Sequence, residues 1–270
     1  MHNKNKINSY QIVHLLLNNL IITVLGTLLA SSSLAIASSA KALTLVTERS
    51  ALNANDSLDF GSIEPVFNPF APPNPDSFLE NSFSAISTNG LELDFTIAPT
   101  DNPAISPPFI FQTGFPPNGI PTNFADGDFL LFTGAAFGSF PAPGNSAPIT
   151  IDFATPVNGA GTQIAVDDTF SFTASVSAFD DAGNLLDSFS APGTSSIDLD
   201  NSALFLGVLS EEANIARLVY SSSVENRAIG INTVSINDGT TIPEPSMIFG
   251  LLIVAGSSIY GFVSKSRYTL

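Results

Sequence analysis

From Ile149 onward, apolar and polar residues alternate along the chain. Thr150 and Asp152 separate Ile149, Ile151 and Phe153, while Ser171, Thr173, Ser175 and Ser177 separate Phe170, Phe172, Ala174, Val176 and Ala178. Successive side chains of a strand point to opposite faces, so a period of two marks a strand with one buried face and one in water. Asp180-Asp181-Ala182-Gly183-Asn184 predicts a turn, and residues 185–190 the returning strand. Residues 204–209, 215–220 and 228–236 follow at strand-like spacing. In the last of these the parity changes between Ile231 and Val234, which predicts a bulge or a crossover. No amphipathic helical pattern of useful length accompanies them. Many short strands separated by turn signals predict an all-β fold, an antiparallel β-sandwich.

Residues 64–148 read differently. FNPFAPPNP, PTDNPAISPPF, FPPNGIP and FPAPG are too rich in proline for helices or central strands. Short strands fit between them at 91–97 and 128–133. The phenylalanines beside the prolines predict ordered loops pinned onto a sheet, since a disordered linker is poorer in aromatic residues.

Two apolar runs lie outside this region. Near the start, Lys4 and Lys6 precede Leu20–Ala30, and Ala40-Lys41-Ala42 has the small-x-small form of a cleavage site, with Ala35-Ile36-Ala37 as a competitor. This predicts a signal peptide over 1–42, cut after Ala42; an uncleaved anchor is the alternative. Near the end, Pro243-Glu244-Pro245 precedes an uncharged apolar run, Ser246–Val263, and then Lys265 and Arg267. At 1.5 Å per residue the run spans about 27 Å, enough to cross a bilayer core as a transmembrane helix. Lys265 and Arg267 then form the cytoplasmic stop.

The order of Pro243, Glu244, Pro245 and Ser246, a glycine-containing span (Gly250, Gly256, Gly261) and a basic end resembles the PEP-CTERM sorting signal of exported bacterial proteins. The resemblance covers residues 242–270, and the basic end carries only two cations where the family often has a denser cluster. It implies processing near Pro243-Glu244-Pro245 by an exosortase, a membrane transpeptidase-like enzyme. It also implies passage through the export translocon, a precursor held in the inner membrane, and delivery to the cell surface or matrix of a bacterium with an outer membrane and an exopolysaccharide. An ordinary C-terminal anchor is the alternative; a GPI signal does not normally end in Lys and Arg.

The ectodomain is then 43–242, with 64–148 loop-heavy and 149–237 regular. It holds three arginines (Arg49, Arg217, Arg227) against 23 acidic residues, a net charge of −20. Nucleic acid and anionic lipid are poor partners for such a charge. The segments ITIDFATPVNGAGTQI, SVSAFDDAGNLLDSF, ALFLGVLS, ANIARLVY and AIGINTVSIND resemble, in order and pattern, the jelly-roll domains common in PEP-CTERM proteins, which are similar to galactose-binding-like β-sandwiches. That fold hosts many functions and does not itself supply one.

The residue inventory narrows the chemistry. Both histidines, His2 and His14, lie in the signal peptide, and the chain has no cysteine. The mature ectodomain also lacks lysine and tryptophan. Serine–histidine and cysteine–histidine nucleophiles, a lysine Schiff base and a histidine-ligated zinc are therefore excluded. Only carboxylates remain for acid–base work, with Asp126 and Asp128 or Asp167 and Asp168 as pairs for a carboxylate-only hydrolase. Calcium is the metal that such residues favour. Its candidate loops are Asp126-Gly127-Asp128, Asp167-Asp168, Asp180-Asp181 with Asn184, and Asp198 with Asp200; none has an EF-hand spacing, and a plain turn explains each as well. The sequence therefore predicts no cofactor. It predicts a non-enzymatic surface or matrix protein of structural or adhesive role, associated with extracellular polysaccharide, with a lectin-like module as the alternative.

Overall fold

The computed structural model describes residues 43–71, 74–138 and 141–239. Ala40, Ala42, Pro243, Glu244, Pro245, the 246–263 span, Lys265 and Arg267 lie outside the described residues. Among the described residues no helix is long and apolar enough to cross a membrane.

The fold is all-β. The strands are β1 (Thr44–Val46), β2 (Asp56–Leu58), β3 (Ser82–Ile86), β4 (Glu92–Ile97), β5 (Phe109–Gln112), β6 (Phe129–Phe132), β7 (Ile149–Val157), β8 (Gly159–Val166), β9 (Ser171–Phe179), β10 (Leu185–Thr194), β11 (Leu204–Leu209), β12 (Ile215–Ser222), β13 (Ile229–Ile231) and β14 (Val234–Asn237). They form two antiparallel sheets. One runs β10-β9-β12-β7-β4-β3. The other runs β1-β11-β8-β13-β6-β5, with β14 lying between β8 and β2.

The six-stranded sheet follows the alternation directly. In β4, in β7 as far as Phe153 and in β9 as far as Ala178, buried apolar residues alternate with exposed or half-buried ones. Its outer face carries hydroxyl side chains, including the cross-strand pair Ser177–Ser188 (2.9 Å), and the ion pair Arg217–Asp152 (2.6 Å). Strand β9 starts at Ser171, so Phe170, which parity assigns to the core, stands in the preceding loop and is 90% exposed. The return strand β10 is an edge strand that runs on to Thr194, with a register shift between Leu185 and Asp187 and Pro192 opposite Thr173.

The eight-stranded sheet is covered on both faces. Its inner face packs against the six-stranded sheet through Ile110, Leu131, Ile164, Leu206, Ile231 and their neighbours. Buried Tyr220 of β12 crosses this core and donates its hydroxyl to the Leu206 carbonyl of β11 at 3.2 Å. The outer face carries a second cluster around Phe67, Phe109, Phe111, Phe124, Leu130 and Phe132. The proline-rich stretch supplies most of it, as expected: its prolines keep the loops out of the ladders while its aromatic rings bury against the sheet. Phe109 is 2% exposed and lies within 6.0 Å of five other phenylalanine rings.

The parity change after Ile231 proves to be a break. β13 and β14 both lie along the same side of β8. Ile231 opposes Ile164 and Ser235 opposes Gly161, so four steps on one strand meet three on the other. The upper piece pairs with β6 and the lower piece with β2.

Candidate functional site

Asn232 occupies the break between β13 and β14 and is 3% exposed. Its Oδ1 accepts the Gln163 backbone N–H at 3.1 Å, which satisfies a β8 donor beside the interruption. Its Nδ2 donates to Gln163 Oε1 (2.7 Å) and to Asp128 Oδ2 (3.0 Å).

Arg49 lies over this point. It opens a short 3-10 turn, Arg49–Leu52, whose Leu52 buries with Val46 and Phe205 against the outer face of the eight-stranded sheet. Gly161 makes room for Phe205, because a Cβ there would meet the ring at 2.7 Å. The guanidinium sits 5.0 Å above the Phe205 ring. It donates to Thr233 O (3.1 Å), Ser235 Oγ (2.5 Å), Asn232 Oδ1 (2.9 Å) and Gln163 Oε1 (3.3 Å). Burial lowers its pKa from the usual arginine value, and Asp128 opposes that shift from behind Asn232. Gln163 Nε2 in turn donates to Asn201 Oδ1 (2.9 Å) and Ala203 O (3.1 Å), which ties down the loop before β11. The network is a clasp: one cation and two amides hold the N-terminal segment, the strand break and two loops together.

Two cavities flank Arg49. One, of about 420 Å³, is lined by Glu48, Gln163, Asn201 and Phe205 among others. The other, of about 700 Å³, is lined by Asn53, Asn55, Asp56 and Thr88 among others. Each carries a single carboxylate. Asp56 is already engaged, accepting from the backbone N–H groups of Ser57 and Asn89 and from the Ser87 hydroxyl. A hydrolase of the paired-carboxylate kind needs two acids facing one cleft, and neither cavity offers that pair.

Three of the loop acids, Asp128, Asp180 and Asp200, are held by their own turns. Asp128 belongs to the clasp and also accepts from Ala125 N–H at 3.3 Å, while Asp126 is exposed. Asp180 accepts the Asn184 backbone N–H (2.7 Å) and its Nδ2 (2.9 Å), closing the β9–β10 turn. These bonds hold its carboxyl below the usual carboxylate range. Asp181 is exposed beside it. Asp200 accepts from Ser202 N–H at 3.1 Å, and the Ser202 hydroxyl, followed by this backbone bond, lowers its pKa likewise. Asp198, also exposed, follows a Ser196 turn. Among the described residues no three such groups come together as a metal-binding cluster.

Asp167 and Asp168 follow β8 in a turn. Asp168, at φ +47°, accepts the Ala142 N–H, and Arg227 donates to the Ala142 carbonyl at 2.9 Å. Burial, reinforced by the Asp168 charge, pushes the Asp167 carboxyl up to about 6. The sequence marked Asp128 but gave no signal for the other members of the clasp, Arg49, Gln163 and Asn232, which lie 69 to 183 positions apart in the chain.

No protein-family model matches the chain, and neither does any curated protein. A solved structure, that of a DUF4465 family protein from Bacteroides caccae, is a distant structural neighbour: 12% identical, covering 73% of this chain and all of that one, with a TM-score of 0.33.

Proposed function

We propose that the chain is an exported, non-enzymatic component of the cell surface or exopolysaccharide matrix, with a structural or adhesive role. In this reading residues 1–42 are a cleaved signal peptide. The ectodomain is a jelly-roll-like sandwich of the galactose-binding-like kind. Residues 243–270 are a PEP-CTERM tail whose helix holds the precursor in the inner membrane until an exosortase processes it. The observation that carries the reading is the disposition of the acids: Asp56, Asp128, Asp168, Asp180 and Asp200 each accept hydrogen bonds that hold turns, loops or the strand break. Carboxylates spent on architecture support a scaffold rather than acid–base chemistry.

The test is a triple substitution, Pro243→Ala, Glu244→Ala and Pro245→Ala, in a host that makes an exosortase. The apolar run and basic end stay intact. The sorted protein is expected to lose its tail, while the variant stays in the inner membrane at full mass by fractionation and intact-mass measurement. Identical mass and location in both would leave an ordinary anchor. A lectin-like role is the second reading, favoured by the exposed aromatic ring of Phe170.

A further inference from the structure

An edge strand exposes backbone donors and acceptors, and the fold blunts most of its edges. β5 is bridged at Ile110 by Val66 and Phe67, and β2 accepts from Thr88. β1 is only three residues long. β10 carries Asp187, Pro192 and a register shift. β3 has none of these devices. Among the described residues it pairs with β4 alone, and its sequence SFSAI contains no proline and no charge.

The ladder fixes which groups of β3 are free. Ile97 N–H donates to Asn81 O and Ser87 N–H to Leu91 O, both at 2.8 Å. Bonded pairs alternate along an antiparallel ladder, so Phe83 and Ala85 also bond toward β4. The N–H and C=O groups of Ser82, Ser84 and Ile86 therefore point away from it. Their side chains are exposed as well, that of Ile86 by 65%. The hairpin beyond Ile86 is anchored to β2, because Asn89 N–H and the Ser87 hydroxyl both donate to buried Asp56. On the inner face Phe83 stacks on Phe95 with ring centroids 5.0 Å apart. The edge is thus already held in the conformation that an added strand requires.

The strand complements itself. In an antiparallel pair turned about Ser84, Ser84 meets its own counterpart, and the free groups of Ser82 meet those of Ile86. On the inner face half-buried Phe83 lies opposite Ala85, and on the outer face Ile86 lies opposite Ser82. Each large side chain meets a small one. No like charges oppose each other across the pair, although the ectodomain carries −20. Such a pair uses the same edge of both copies, so assembly closes at two.

We propose that β3 is a dimerisation edge, pairing antiparallel with β3 of a second copy and joining two six-stranded sheets into one. The inference is independent of the sorting and matrix readings.

The chain has no cysteine, so single introduced thiols report the pairing. In the paired register the two Ser84 Cα atoms lie about 5.5 Å apart, within disulfide reach. The two Ser82 positions are displaced by four residues, about 13 Å, and are out of reach. Mild oxidation of the full chain in intact cells is expected to give about tenfold more disulfide dimer for Ser84→Cys than for Ser82→Cys, or for Ser190→Cys on β10. Ser84→Pro removes an N–H that β4 does not use. Light scattering of the purified chain is expected to show a dimer for wild type and Ser84→Ala and a monomer for Ser84→Pro, with unchanged far-ultraviolet circular dichroism. A monomeric wild type would overturn the proposal, as would equal cross-linking at positions 82 and 84. So would a Ser84→Pro chain that folds and stays dimeric. If Ser84→Pro does not fold, the comparison of the cysteine variants decides alone.

Discussion

Strands β9 and β8 belong to the same sandwich and have opposite signatures. In β9 the exposed or half-buried and the buried positions alternate from Ser171 to Phe179. In β8 all eight residues are buried. The first strand has water on one side. The second has the six-stranded sheet on one side and, on the other, the Arg49–Leu52 turn and the phenylalanine-bearing loops. The difference teaches that the proline-rich stretch acts as a second wall of core rather than a connector. A sheet walled on both sides has no polar face to alternate with.

That comparison can be broken most sharply at Phe109. If the loops form a true core, Phe109→Ala should cost about 3–5 kcal/mol, as much as Phe95→Ala in the main core. Urea denaturation at constant m-value measures both. A cost at Phe109 similar to that of a surface change would show that the loops merely lie on the sheet.

The clasp comes next. Arg49→Met keeps much of the side chain over Phe205 but removes a donor that Thr233 O, Ser235 Oγ and Gln163 Oε1 accept from, while Asn232 Oδ1 keeps the Gln163 N–H. A loss of about 1–3 kcal/mol is expected, because unpaired buried acceptors bear the desolvation cost. Asn232→Ala should fall in the same range, and the double variant should lose less than the sum of the two, since both sit in one network.

Asp167 sharpens the contrast through pH. Its folded pKa lies above the unfolded value of 3.8, so the folded state binds the proton more tightly. As pH rises from about 4 to about 6 the wild type loses stability, and above that the loss is constant. Asp167→Asn should therefore be more stable than wild type at pH 7, by about 1–2 kcal/mol after allowing for partial solvation, and should show no advantage near pH 3. Thermal melts at the two pH values check it.

The smallest effect belongs to the open face. Arg217 and Asp152 are paired at 2.6 Å, but their side chains are 45% and 34% exposed. Arg217→Gln is expected to cost less than about 1 kcal/mol and to cost less still in 1 M salt.

Legibility in the sequence follows the same division. β7 and β9 lie where the alternation put them, β4, β11 and β12 lie where the sequence placed short strands, and Asp180–Asn184 forms the predicted turn. β8 escaped because GAGTQIAV is small, rich in glycine and buried throughout. β5 escaped because Phe109-Ile110-Phe111 directly follows two prolines and has no polar face. β1, β2 and β3 are at most five residues long and leave little periodicity to read. The parity change at Ile231 did announce the break in the strand. What fills it did not show, because Asn232, Gln163 and Arg49 meet only through tertiary pairing. Phe170 was misplaced for a simpler reason: it continues the alternation by one step into the loop.

Pro192 has a further consequence. β10 is the longest strand, with ten residues, and its outer edge is unpaired among the described residues. An exposed backbone edge of that length is a template onto which another chain can add a strand, and so a nucleus for fibril growth. Proline has no N–H to offer an incoming strand, and the register shift at Leu185–Asp187 distorts the opposite end of the same edge. The longest edge among the described residues is thus interrupted near both ends, a safeguard against runaway polymerisation.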